Sequence, residues 1–157
     1  MTRTIEGDMS AEGATFAIVA AEWHERFSEV LLEGAVGTLE SLGASSDDIT
    51  VYRCPGSFEV PQVAARVVET TDVDAVVCLG VLVRGETPHF DYIASEATSG
   101  IGQVGIEASI PVTYGILTCD TMEQAMARSG SKQGNKGAEA ARAAVEMANL
   151  YAEIEGR

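Results

Sequence analysis

From residue 75 to residue 83 the chain is apolar almost without a break, AVVCLGVLV. Val76, Val77, Leu79, Val81, Leu82 and Val83 show no period-2 alternation, which is how a strand covered on both faces reads. The run stops at Arg84-Gly85-Glu86-Thr87-Pro88-His89. Gly85 lets the backbone turn and approach a ligand, Thr87 suits an N-cap, and Pro88 suits a first helical position. The pattern predicts central strand, tight loop, helix start. In α/β proteins that junction binds anions and small substrates, because the free amides of the new helix point outward. A histidine in its first turn is the natural proton carrier.

The same patterning places the other elements. Residues 15–21, TFAIVAA, read as a first buried strand, ended by Glu22-Trp23-His24. Phe27, Val30, Leu31, Gly34, Thr38 and Leu42 recur on one helical face, so a helix is predicted over 25–42 with Gly43 as its stop. Residues 49–54 form a second strand, closed by Pro55-Gly56. Ser57 is placed to cap a helix carrying Val60, Val63, Ala64, Val67 and Val68, with Pro61 early enough to be tolerated. A third helix is predicted over about 88–108 and a fourth strand over 111–118. Thr121 and Gln124 have capping-box spacing before a short helix that ends near Gly130. Gly134-Asn135-Lys136-Gly137 reads as a chain break, and a last helix as 138–154. Residues 1–13 are polar, with Ile5 their main hydrophobe, and read as a loose arm or a strand that pairs elsewhere. Strict alternation of strand and helix predicts one domain over 1–157, a parallel sheet with helices on both faces. The carboxyl ends of its strands are predicted to gather Trp23, residues 55–59, residues 84–89 and Tyr114 on one edge.

Charge and cysteines narrow the function. The 157 residues hold 24 acidic and 10 basic side chains, a net charge of −14. So acidic a surface repels nucleic acid; it is equally what a high-salt environment tolerates. Arg128, Lys132 and Lys136 therefore stand out as a local cluster of cations. Cys54, Cys78 and Cys119 are far apart, with no CxxC pair, and read as buried free thiols in a reducing compartment. No apolar run is long enough to span a membrane and residues 1–13 have no apolar leader core, so a cytoplasmic chain is expected.

The predicted edge is informative by omission. It offers no GxxxxGK[ST] or GxGxxG loop, no nucleophile elbow, and only two histidines, whose neighbours make no metal set. What remains is aromatic surface (Trp23, Phe58, Tyr114), the acid Glu59, the loop 85–87, His89 and the distant cations. That set suits an electron-rich heterocycle and a phosphate, handled by positioning and proton transfer.

Four stretches then combine: PGSFEVP (55–61), RGETPHFDY (84–92), ARSGSKQGNKG (127–137) and EMANL (146–150). In this order and at these spacings they resemble the 6,7-dimethyl-8-ribityllumazine synthase family, from about Phe16 to Leu150. The resemblance implies a flavodoxin-like α/β/α sandwich on a four-stranded parallel sheet, with an arm free to add a strand to a neighbouring subunit. It implies a cofactor-free transferase of riboflavin biosynthesis. That family condenses 5-amino-6-(D-ribitylamino)uracil with 3,4-dihydroxy-2-butanone 4-phosphate, through imine formation, phosphate elimination, ring closure and loss of water. It also implies sites shared between subunits of a homopentamer, in some members part of a sixty-subunit shell, with riboflavin synthase as a candidate partner.

Carried over by motif position, the resemblance implies that Trp23 stacks on the pyrimidine and that backbone groups of Val81, Leu82 and Val83 bond its edge. Ser57, Phe58 and Glu59 hold the ribityl chain. Gly85, Glu86 and Thr87 bind phosphate, and His89 is the general acid/base. From the neighbouring subunit Tyr114 closes the pocket, Arg128 clamps the phosphate and Lys136 reaches the ribityl end. His24 stands where many members have Asn contacting the ribityl chain. Trp23 and Tyr114 replace the more frequent phenylalanines, and Ser57 the usual alanine. Two rivals keep the same scaffold: an archaeal-type riboflavin synthase, expected to lack RGxTxH and GNKG, and a non-catalytic shell, expected to lack His89 or Arg128. This chain has all of them.

Overall fold

The computed structural model describes residues 1–86, 88–131 and 134–157. Strands β1 (Phe16–Ala21), β2 (Ile49–Cys54), β3 (Ala75–Val83) and β4 (Val112–Cys119) form one parallel sheet in the order β2-β1-β3-β4. Between and after them run α1 (Glu25–Ser41), α2 (Val60–Thr70), α3 (His89–Glu107), α4 (Met122–Arg128) and α5 (Lys136–Glu155). This is the flavodoxin-like sandwich. Successive side chains of a strand take opposite faces. Phe16, Ile18 and Ala20 therefore pack with Leu31, Ala35 and Leu39 of α1 and Ala141 and Val145 of α5. Ala17, Val19 and Ala21 pack with Val60, Ala64 and Val67 of α2 and Ile101 of α3. Two cores flank one sheet, and the unalternating apolar run of β3 is the consequence.

Strand order reverses direction between β1 and β3, and in such sheets ligands bind at the carboxyl ends beside that switch. The pairing makes the crevice concrete. β3 pairs with β4 through Val83 but with β1 only through Leu79. Beyond Ala21 the chain turns the other way: Glu22 and Trp23 donate their amides to the carbonyls of Cys54 and Pro55, at the end of β2. Val76 and Arg84 donate to carbonyls on the β4 side. By alternation, the N–H and C=O groups of Val81 and Val83 face the β1 side, where no strand remains.

Several local expectations change. Ser57 caps no helix. Residues Ser57–Glu59 form one 3₁₀ turn, and Glu59 folds its carboxylate back onto the Gly56 N–H at 3.1 Å. A carboxylate three residues on is simply the stronger acceptor for that amide. Residues 134–137 are a cap rather than a break. Asn135 accepts from the Ala138 N–H at 3.0 Å and donates to the Val30 carbonyl at 3.0 Å, so α5 begins at Lys136. Gly137 lies inside that first turn because α5 crosses α1 at the Leu31 carbonyl, where a Cβ would clash. A short antiparallel hairpin, β5 (Ser129–Ser131) with β6 (Gly134–Asn135), leads into it. Thr121 does cap α4, accepting from the Gln124 N–H at 3.1 Å. α3 starts at His89, one residue later than expected, with Pro88 at its cap; Thr87 lies outside the described residues.

The arm is not loose throughout. Asn149 of α5 donates to the Asp8 and Ser10 carbonyls at 2.8 and 3.0 Å, and the Ala11 amide donates to Leu42 O at 2.8 Å. Polar composition hid this, because hydrogen bonds to the main chain hold the arm, with only Ala11 buried and Met9 packed against the core. Residues 1–6 remain exposed.

The three cysteines are free and buried. Burial pushes the Cys54 thiol up to about 11 and that of Cys78 up to about 12. In the unfolded chain these thiols ionise near their ordinary value of 9.0. Above that pH the unfolded state alone releases protons, so stability contributed by the neutral thiols is full below pH 9 and falls as pH rises toward about 11. Native protein at pH 8 should resist a disulfide-exchange reagent at all three thiols and react at all three after denaturation. The denaturant midpoint should fall between pH 9 and 11. Fast native labelling would contradict the packing.

Candidate functional site

The chain ends around the β1/β3 crevice build one wall of a cleft. Trp23 follows β1, Phe58 and Glu59 lie on the turn after β2, and His89 opens α3 after β3. With Tyr92, Ile93 and Glu96 they line a cavity of about 360 Å³. Trp23 is 58 % exposed and Phe58 43 % exposed. Large rings this open, beside Val81 and Val83 where β3 runs past the end of β1, form a surface made to be covered. The Trp23 ring rests on Gly56, where an added Cβ would stand 2.7 Å from its Cε3. Glu59 spends Oε1 on the Gly56 amide and keeps its other oxygen free of that duty.

A second cavity of about 380 Å³ is lined by Tyr114, Ile116, Leu117, Thr118, Arg128, Lys136 and Glu139. The expected cations Arg128 and Lys136 meet here, across the turn between α4 and α5. Lys132 lies outside the described residues. Arg128 approaches the Cys119 thiol at the end of β4. Burial raises that thiol's pKa, and the guanidinium opposes the rise by charge and hydrogen bonding.

The two cavities share no lining residue. Tyr114 therefore does not join Trp23 on the strand ends. It is the third residue of β4, in register with Cys78, and its hydroxyl lies 3.0 Å from Thr98 Oγ1 of α3. The strand continues to Cys119, so a tyrosine at 114 sits well short of the carboxyl edge.

Other predicted residues divide by what their side chains can reach. Ser57 is 2 % exposed and its Oγ has no hydrogen-bond partner. That hydroxyl is seated against Gly80, where an added Cβ would lie 2.5 Å away, so it does not face the cleft. Val81 and Leu82 are buried, which leaves only their backbone available to a ligand. Gly85 and Glu86 are exposed in the loop after β3. His24 is exposed at the cap position of α1 with φ 61°, left-handed, and its side chain caps nothing. That backbone region is most readily taken by Gly and Asn.

Residues at 89, 92, 93 and 96 occupy one face of α3, and their three-and-four spacing was the signal for Tyr92, Ile93 and Glu96. Glu139 follows Lys136 by the same logic. In the sequence Arg84 stands only as the first residue of the loop that follows β3, with no partner indicated. It donates from Nε to Asp120 at 2.8 Å and from Nη1 to Asp91 at 3.2 Å, and lies 4.6 Å over the Phe90 ring. Its hydrogen bonds to Asp120 and then Asp91 raise its pKa. Among the described residues no group of three or more His, Cys, Asp or Glu could hold a metal ion, and no helix is long and apolar enough to cross a membrane.

Comparison with known proteins gives one consistent result. The family model described as 6,7-dimethyl-8-ribityllumazine synthase matches residues 13–152. Curated relatives with that name include one from Salinibacter ruber, 53% identical over 99% of this chain and 100% of its own. One from Chlorobaculum tepidum is 51% identical over 97% of this chain and 98% of its own. Another from Chloroherpeton thalassium is 48% identical over the same shares.

The Gly56 contact can be read directly, since Trp23 is the chain's one tryptophan. Gly56 has φ −140°, which alanine accepts, and the three atoms nearest an added methyl all belong to the Trp23 ring. Gly56→Ala should displace the indole toward solvent, moving its emission to the red and raising its quenching by acrylamide. Unchanged emission would place the ring elsewhere.

Proposed function

The chain belongs to the 6,7-dimethyl-8-ribityllumazine synthase family, and from that premise we propose that its two cavities are complementary halves of one active site, joined where two copies meet. The enzyme is a transferase of riboflavin biosynthesis. It condenses 5-amino-6-(D-ribitylamino)uracil with 3,4-dihydroxy-2-butanone 4-phosphate to give 6,7-dimethyl-8-ribityllumazine, phosphate and water. One observation carries the shared-site reading. His89 and the aromatic wall lie in one cavity, while the cations that a phosphate needs lie in another on the same molecule.

In this reading the pyrimidine stacks against Trp23, with Phe58 beside it, and its polar edge meets the free N–H and C=O groups of Val81 and Val83. The ribityl hydroxyls donate to the second oxygen of Glu59. His24 borders that end, and Lys136 of the neighbouring copy reaches it. Ser57 contributes main chain only. The phosphate sits over the loop amides of Gly85 and Glu86 at the start of α3, opposite the neighbour's Arg128, with Tyr114 closing the pocket. The amine attacks the ketone carbonyl, and water leaves as the imine forms. His89 carries protons between these atoms. Departure of phosphate then builds negative charge where a guanidinium and helix-terminal amides already point. The ring closes with loss of a second water. No cofactor is required for any of these steps.

Further proposals concern assembly. The chain acts as a single domain over 1–157 in the cytoplasm, as a homopentamer or as a sixty-subunit shell of pentamers, with riboflavin synthase as a partner. Residues 1–6 extend from an arm whose second half is fixed on α5. β2 is an edge strand with Val51 partly exposed. A neighbour's arm pairing along β2 would cover that edge.

Two measurements test the reading. Arg128→Ala should raise KM for the phosphorylated ketone by roughly 100-fold, the scale of losing a charge-assisted contact, with KM for the pyrimidine little changed. Unaltered ketone kinetics would remove Arg128 from the site. Each added subunit adds −14 to the assembly's charge, so salt should drive association through screening. Native mass at low and high salt should show smaller species at low salt, inactive because each holds half-sites. An active monomer would overturn the shared site.

A further inference from the structure

One exposed charge cluster joins the elements that carry the two half-sites. Arg84 ends the β3 run, and its amide donates to the Cys119 carbonyl at 2.8 Å. Its guanidinium reaches Asp91, in the first turn of α3 two residues beyond His89. It also reaches Asp120, the residue between β4 and the Thr121 cap of α4, the helix that ends on Arg128. Asp120 is itself tied into α4, because its amide donates to Gln124 Oε1 at 2.8 Å. The guanidinium plane lies over Phe90, which packs into the α2/α3 core.

We propose that Arg84 is a positioning residue for both half-sites: one forked guanidinium sets the start of α3, which carries His89, and the start of α4, whose far end carries Arg128. This rests on the reading of His89 and Arg128 given above. Exposed ion pairs contribute little to stability. A planar fork stacked on a ring does fix directions, however, and lysine cannot reproduce it. Small errors in placing catalytic groups carry large rate penalties. The network should therefore matter for kinetics far more than for folding. It also explains why Arg84, in a loop suited to phosphate, is not the phosphate's cation: Nε and Nη1 already serve carboxylates.

The arms of the fork can be cut separately, using the assembled enzyme. Asp120→Asn loosens the α4 side. It should raise KM for the phosphorylated ketone about tenfold, with kcat and the pyrimidine KM within about twofold. Asp91→Asn loosens the α3 side, and should lower kcat about tenfold with both KM values near wild type. Arg84→Gln should show both defects, Arg84→Lys should resemble it, and thermal midpoints should stay within a few degrees. Arg84→Gln combined with Asp120→Asn should raise the ketone KM no further than Arg84→Gln alone. The inference is overturned if the aspartate variants leave kcat and both KM values unchanged, if losses merely track unfolded protein, or if lysine restores full activity. Arg128→Ala serves as the control. If it spares the ketone KM, the site assignment has failed; if it raises that KM while the Arg84 set does nothing, only the role given to Arg84 has failed.

Discussion

β3 is paired on both edges up to Leu79 and on one edge from there to Val83. A buried strand cannot leave amides and carbonyls unpaired without cost, unless a ligand or water takes them. Everything at the functional end of the molecule follows from that four-residue overhang. The chain leaving β1 turns toward β2, carrying Trp23 onto Gly56 and vacating the space beside Val81 and Val83. The turn after β2 brings Phe58 and Glu59 to the rim. The loop after β3 delivers His89 at a helix start.

Rigidity on both faces makes the overhang usable. α1 and α5 cover one face and α2 and α3 the other, so β3 cannot tilt toward the gap. Small residues allow this closeness. Gly137 lets α5 touch the α1 backbone, and Asn135 fastens the crossing to the Val30 carbonyl. That junction also seats Lys136, so a packing contact and a cavity-lining cation share one turn of helix. Around the loop, Arg84 replaces apolar packing with directed hydrogen bonds, since the segment must stay open to solvent and ligand.

The separation of the aromatic wall and His89 from Arg128 and Lys136 into two cavities is a geometric fact about a single copy, and under the proposed shared site it would give oligomerisation a chemical purpose. A negative substrate approaching a chain of charge −14 needs cations held apart from the surface carboxylates. In the proposed shared site, Arg128 and Lys136 face the neighbouring copy, which would concentrate positive charge where two copies meet.

Sequence by itself determined the sheet, its parallel direction, most helix bounds and the aromatic and cationic inventory. Those depend on local period and on contiguous motifs: the unbroken apolar run of 75–83, the face of α1, and RGETPHFDY. Tertiary structure alone decided what depends on approach between distant residues. Glu59 rather than Ser57 capped the turn because its carboxylate could reach Gly56. Glycine in 134–137 marked a helix crossing, where composition suggested a break. Tyr114 lay mid-strand, away from Trp23, because the register with β3 set its height. The arm was fixed by the Asn149 carboxamide, more than a hundred residues away, and by the Ala11 amide on the Leu42 carbonyl. Arg84 became a brace only when folding brought Asp91 and Asp120 to either side of it. Hydrophobic periodicity is written residue by residue along a chain, whereas hydrogen bonds between remote polar groups exist only after the backbone has been placed.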